Sequence, residues 1–228
     1  MTPDAPLVSC ILLTTHPKRA AFVPDALRSF RAQTYPGCEL VVVNDGSVPL
    51  ASCSPDVQVV NLPARDRRWT LGEKRNAGVR LARGRWVATW DDDDISLPGR
   101  IAAQIEAAER LGAQYVLGDR THVADADMSV QGSCFRGASL PVMSTALIER
   151  AAIVAAGGYP VKDYMEDAEL LERIRLLVRA RVEVIPADWY VMRRHGDNVT
   201  LAFGESTDGW VQCALRDPRR EAAQGRGT

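Results

Sequence analysis

The chain lacks several features that mark common protein classes. No apolar run in its 228 residues approaches the ~18 needed to span a membrane. Lys+Arg 28 against Asp+Glu 29 leaves none of the basic excess of a general nucleic-acid binder. Its five cysteines (Cys10, Cys38, Cys53, Cys134, Cys213) are odd in number, far apart and without a C-x-x-C pair. That usage suits a reducing compartment, not a disulfide framework. Three scattered His leave no spacing for a structural zinc site. The first basic residue is Lys18, beyond the first apolar stretch, so no secretory signal is expected and the chain reads as cytoplasmic. Asn198-Val199-Thr200 is then a glycosylation sequon by letters alone.

Missing motifs exclude further classes. There is no G-x-x-x-x-G-K-[ST], so this is no P-loop NTPase. The first glycine is Gly37, so no G-x-G-x-x-G follows the first strand pattern, which argues against a dinucleotide oxidoreductase. No G-x-S-x-G elbow occurs, which argues against an α/β-hydrolase.

What is present is an ordinary globular balance, 46% apolar and 25% charged. A chain of this length buries ~70% of its unfolded surface and needs no disulfide or metal to fold. Leu7 to Leu13 is an apolar run broken only by Ser9, with no alternation, the pattern of a strand buried on both faces. Further strands are predicted over 40–43, 57–62, 86–90, 115–117, 182–185 and 189–192. Helices are predicted over 24–33, 70–83, 98–111, 144–156 and 166–179. Thr70-x-x-Glu73 is a capping box that opens the second of these. The alternation of strand and helix in the first half predicts an α/β fold with a parallel sheet. One domain is expected over 1–216, with the polar residues 217–228 as a disordered tail.

In such a sheet ligands bind beyond the carboxyl ends of the strands. Polar residues gather there: Thr14-Thr15-His16, Asn44-Asp45, and the run Asp91-Asp92-Asp93-Asp94. Four adjacent carboxylates repel one another, and a divalent cation relieves that repulsion. Oxygen ligands suit Mg²⁺ or Mn²⁺. An EF-hand is excluded, because counting from Asp91 puts Ser96 at position 6 and Ala102 at position 12. A solvated acidic turn is the alternative; placement directly after a buried strand favours the ligand site. Asn44-Asp45-Gly46-Ser47 is also good turn chemistry without any ligand. Lys74 and Arg75 oppose the dipole at a helix start, which places them beside phosphates or the acidic run, or leaves them solvated. Glu166 and Asp167 open a helix, either complementing its dipole or supplying a general base. Glu169 and Arg173 read as a helix-surface pair. His195, after Arg193-Arg194, reads as a metal or phosphate contact or as a structural histidine.

In order along the chain, six segments resemble the motifs of family 2 glycosyltransferases, inverting enzymes that use nucleotide sugars. They are Val8–Thr14, Glu39–Ser47, Arg75-Asn76-Ala77-Gly78, Gly84–Val87 leading to Asp91–Asp94 and Leu97-Pro98, Gly157-Gly158-Tyr159 with Glu166–Leu170, and Arg193–Thr200. The resemblance covers about 7–200. It implies a GT-A fold, Rossmann-like, with a mixed, mostly parallel central sheet flanked by helices. It implies Thr14 and Asp45 at the nucleotide base, usually uracil, and Asp91 and Asp92 near the ribose and the metal's waters. Asp93 would bind Mn²⁺ or Mg²⁺, with His195 completing the metal or diphosphate site. Asp167 would be the general base, with Glu166 the weaker candidate. The donor implied is a UDP-sugar; the acceptor is open among a lipid-linked sugar, a glycan, a natural product and a protein.

Three departures stand out. Leu13-Thr14-Thr15-His16 replaces the usual Pro-Thr-Tyr-Asn, Asn44 replaces an Asp, and the Q-x-x-R-W motif of processive polymerases is absent. The last of these implies a soluble enzyme that adds a single sugar. A sugar-phosphate nucleotidyltransferase would need a Gly-rich loop after the first strand, which is missing. A non-catalytic nucleotide-sugar-binding protein of the same fold is the third reading.

Overall fold

The computed structural model describes residues 7–52, 54–135 and 142–195. The predicted tail, the domain boundary at 216, the sequon and the closing motif beyond His195 lie outside them. Strand β1 (Val8–Thr14) is the middle of a seven-stranded sheet. Its side chains alternate, Val8, Cys10 and Leu12 to one layer and Ile11 and Leu13 to the other. Both layers are apolar, which is why the letters show no polar alternation. Parallel to it run β2 (Cys38–Asn44) on one side and β4 (Trp86–Asp91) on the other. β3 (Val57–Asn61) extends the sheet beyond β2. Beyond β4 come β9 (Val142–Glu149), β6 (Tyr115–Gly118) and β10 (Val182–Ile185). β9 is antiparallel to both neighbours, so the sheet is mixed and mostly parallel. The chain order reverses at β1, and this opens a crevice past the ends of β1, β2 and β4.

One face is covered by α1 (Val23–Arg31) and α3 (Arg100–Leu111), whose Ala26, Phe30, Ile101 and Ile105 pack on Cys10, Leu12 and Trp90. The other is covered by α2 (Leu71–Leu81), α4 (Arg150–Ala155) and α5 (Glu166–Arg173), through Ala77, Ile153 and Leu170. Each fully buried Leu or Ile contributes ~1.5–3 kcal/mol, so these two layers, not surface ion pairs at ~0–1 kcal/mol each, hold the sheet. A second sheet follows the acidic turn: β5 (Ile95–Ser96), β11 (Tyr190–Arg193), β7 (Arg120–Ala124) and β8 (Val130–Phe135), in that order.

The capping box forms as predicted: Glu73 N donates to Thr70 Oγ1 at 3.2 Å and Thr70 N donates to Glu73 Oε2 at 2.9 Å. Two residues of the Arg-Asn-x-Gly segment have packing roles. A Cβ on Gly78 would lie 2.5 Å from Ile11 Cγ2, so glycine lets α2 close onto β1. Asn76 Nδ2 donates to Tyr159 O and Tyr159 N donates to Asn76 Oδ1, both at 2.8 Å, which ties α2 to the segment leading into α5.

The predicted helix over 144–156 is corrected. Residues 142–149 form β9, and only Arg150–Ala155 are helical. Thr145, Ala146, Leu147 and Ile148 are buried between β4 and β6, where a strand completes two ladders and a helix would complete none. The helix from 166 runs to Arg173 and then widens into one π turn, 174–178. β5, β7 and β8 had no counterpart in the sequence reading.

Candidate active site

The crevice is built from three strand ends and the starts of two helices. After β1 the chain turns tightly, with Arg19 N donating to Thr15 O at 3.0 Å and Phe22 N to Arg19 O at 3.1 Å. Asn44 at the end of β2 wires this turn to its own. Its Oδ1 accepts from His16 N at 3.0 Å and Gly46 N at 2.9 Å, and its Nδ2 donates to Val48 O and Asn61 Oδ1, both at 2.9 Å. An aspartate could accept but not donate, which accounts for Asn at this position. A Cβ on Gly46 would sit 1.8 Å from the His16 carbonyl oxygen, so only glycine lets the two turns meet.

Asp45 lies beside them, accepting from Thr15 Oγ1 at 2.7 Å and pairing with Lys74 Nζ at 3.1 Å. Thr14 is buried at the end of β1 beside Asp92. Lys74 and Arg75 are buried, not solvated. Lys74 serves the Asp45 corner, whereas Arg75 reaches across to Glu166 Oε1 at 3.0 Å. The two adjacent cations thus divide between two parts of the crevice.

The acidic run is not one cluster but two pairs: Asp91 and Asp94 share Tyr190, and Asp92 and Asp93 share Arg19. Asp91 Oδ2 accepts from Tyr190 OH at 3.1 Å. Asp92 is buried and held by Arg19, Nε to Oδ1 at 2.9 Å and to Oδ2 at 3.1 Å, and Nη2 to Oδ1 at 2.7 Å. Asp93 pairs with the same Arg19 Nη2 and lies 2.9 Å from His195 Nε2. Asp94 accepts from Tyr190 OH at 2.6 Å and from Arg193 N at 2.8 Å. Phe22 floors the group, its ring 4.6 Å from that of His195 and 5.3 Å from the Arg19 guanidinium carbon.

These environments separate the acids electrostatically. Burial pushes Asp94 well above the usual carboxylate range, aided by Asp93 and Asp91. Burial also raises Asp92, against the pull of Arg19. For Asp93 burial is outweighed by the His195 hydrogen bond and by Arg19, so its carboxyl is held below the ordinary range. Across the crevice, burial and neighbouring Glu166 raise Asp167, with Arg75 opposing and Asp91 adding to the rise. One carboxylate kept ionised and another poised upward is the pattern of a charge-binding acid and a proton-accepting one.

Among the described residues no group of three or more His, Cys, Asp or Glu converges as a metal cage. The donors that fit are Asp93 and His195, adjacent and on one side. That set suits Mg²⁺ or Mn²⁺ taking its other ligands from substrate phosphates and water. Glu169 and Arg173 form a surface pair at 2.6 Å, as expected.

Sequence reasoning missed Arg19 and Tyr190. Arg19 was findable by the strand-end rule applied a few residues further along. Tyr190 gave no local signal: it meets Asp94 across 96 residues. Tyr190→Phe should cost about 1–3 kcal/mol, since it removes a donor from a buried acid. A urea midpoint unchanged from wild type would contradict this assignment.

The family described as "Glycosyl transferase family 2" matches residues 10–132. The succinoglycan biosynthesis protein ExoO of Rhizobium meliloti (strain 1021) is 43% identical over 93 residues, 39% of this chain and 26% of its own. The uncharacterized glycosyltransferase YwdF of Bacillus subtilis (strain 168) is 32% identical over 110 residues, 45% of this chain and 39% of its own. The chain therefore spans well under half the length of these curated relatives. Among solved structures, S. aureus TarS 1–349 in complex with UDP superposes with a TM-score of 0.62 at 16% identity, covering 82% of this chain and 60% of that one. The mannosyltransferase PcManGT of Pyrobaculum calidifontis, in complex with GDP-Man and Mn²⁺, gives 0.64 at 17% identity, covering 88% and 60%. At such identities the likeness is one of fold, here GT-A.

Proposed function

The chain belongs to glycosyl transferase family 2, and on that premise we propose that it moves one sugar from a nucleoside-diphosphate sugar to an acceptor hydroxyl, non-processively and with inversion. The observation that carries the reading is the division of the crevice: an ionised Asp93 beside His195 on one side, and Asp167 with raised proton affinity on the other. Thr14, Asp45 and Lys74 form the corner for the nucleoside. Asp91 and Asp92 border the ribose side. Asp93 and His195 would hold Mn²⁺ or Mg²⁺, which when bound supplies positive charge to the leaving diphosphate. Asp167 takes the proton of the incoming hydroxyl as its oxygen attacks the anomeric carbon from the face opposite the diphosphate. Glu166 is engaged by Arg75 and positions that helix start. A uridine donor is favoured. Guanosine belongs in the test, because fold relatives are complexed with both UDP and GDP-Man.

The test is release of UDP or GDP from a panel of nucleotide sugars, with and without Mn²⁺. Slow hydrolysis of one donor, dependent on Mn²⁺, is expected. Failure to turn over or to bind any nucleotide by calorimetry would overturn the proposal. Nucleotide binding without turnover on any acceptor class would instead favour a non-catalytic binding protein. Among the described residues no helix is long and apolar enough to cross a membrane.

A further inference from the structure

Arg19 contacts the proposed metal ligand Asp93, yet the proposed reaction gives it no task. It makes three hydrogen bonds to Asp92 and pairs with Asp93, with its side chain 17% exposed. Tethering its loop does not require it, because His16 N on Asn44 and the backbone bonds of the turn already do so. Its planar fork matches carboxylate and diphosphate equally well. Local charge decides which it takes. Asp92 and Asp93 bring two negative charges and Arg19 neutralises one. A divalent cation bound by Asp93 would meet the Arg19 guanidinium on the same carboxylate, and a diphosphate arriving with it would give that guanidinium another partner.

Resting on the transferase reading, we infer that Arg19 is an internal counter-cation: it holds Asp92 and Asp93 in the metal-free enzyme and competes with a divalent cation for Asp93 until a nucleoside diphosphate draws the guanidinium away. Metal and nucleotide binding are thereby made cooperative, and Arg19 acts as a positioning residue for the acidic turn. Arg19→Lys would carry the charge without the two-pronged grip.

The experiment is titration of Mn²⁺, read from the electron paramagnetic resonance signal of the unbound aqua ion, without nucleotide and with saturating UDP or GDP. Without nucleotide, Arg19→Gln and Arg19→Ala are expected to bind Mn²⁺ about tenfold tighter than wild type, the scale of removing one charge at ~4 Å. Arg19→Lys should stay near wild type. With nucleotide present the advantage of the two neutral variants should vanish. Arg19→Gln keeps most of the methylene stem and a donor, covering the case in which Arg19→Ala does not fold; if neither folds, the inference falls, since Arg19 is then structural. Equal Mn²⁺ affinity in wild type and neutral variants, with nucleotide binding intact, overturns the inference and leaves the function standing. A wild type that binds neither Mn²⁺ nor nucleotide overturns both.

Discussion

Asp93→Asn is expected to lower kcat for donor hydrolysis about 10³-fold, the scale of losing one group that stabilises developing charge. The amide is isosteric but cannot bring the negative charge that sets this acid apart from its neighbours. Asp93 is the member of the run held below the ordinary carboxylate range, by His195 and Arg19 against the effect of burial. Asp92, a single residue away, has its carboxylate taken up by Arg19 and is raised by burial instead. Asp92→Asn should therefore do far less to turnover. Nucleotide release, measured beside circular dichroism to establish folding, separates the two. Equal losses in both variants would mean that the run acts as an undivided patch of charge.

The second large effect belongs to Asp167. Asp167→Asn should reduce transfer about 10²–10⁴-fold, the usual share of a positioned base. The wild-type pH profile should carry an acid limb above the ~3.9 of an unperturbed aspartate, because burial and Glu166 raise its proton affinity in the folded chain. A base must be ionised to accept a proton, so activity falls as pH drops through that raised value. The limb should be missing from the residual activity of the variant. Stability runs the other way. A carboxyl with a raised folded pKa favours folding below its unfolded pKa, and that contribution is lost as pH rises through the folded value. At neutral pH the amide should leave the melting temperature unchanged or higher while activity collapses. A lowered melting temperature in step with activity would mark Asp167 as structural.

The physical reason each feature was legible, or was not, differs by residue. Leu7 to Leu13 announced β1 because both its faces are buried, and Thr70 with Glu73 announced α2 because a capping box is complete within four letters. Asp91 to Asp94 were legible as a group at a strand end through their place after β4. Residues 144–149 were misread because Ala, Leu, Ile and Glu favour a helix, and pairing with β4 and β6 overrode that preference. β7 escaped notice because Arg120, Thr121 and His122 dilute its apolar pattern. Within the site, the acids and His195 were visible, and Arg19 and Tyr190 were not. Arg19 on Asp92 spans 73 residues and Tyr190 on Asp94 spans 96, and no local pattern encodes such distances.

Those spans bear on how the protein is made. Asp94 receives its hydrogen bonds from Tyr190 and from Arg193 N, 96 and 99 positions downstream. On a ribosome adding ~5–20 residues per second, the four acids leave the exit tunnel several seconds before β11 exists. During that interval β1, β2, β3 and β4 can already pair, since all precede residue 92. The scaffold is thus assembled vectorially while its acidic turn stays open to water and ions. The last described strand to be synthesised is the one that holds Asp94, so the acidic turn acquires its geometry only after β11 has been made.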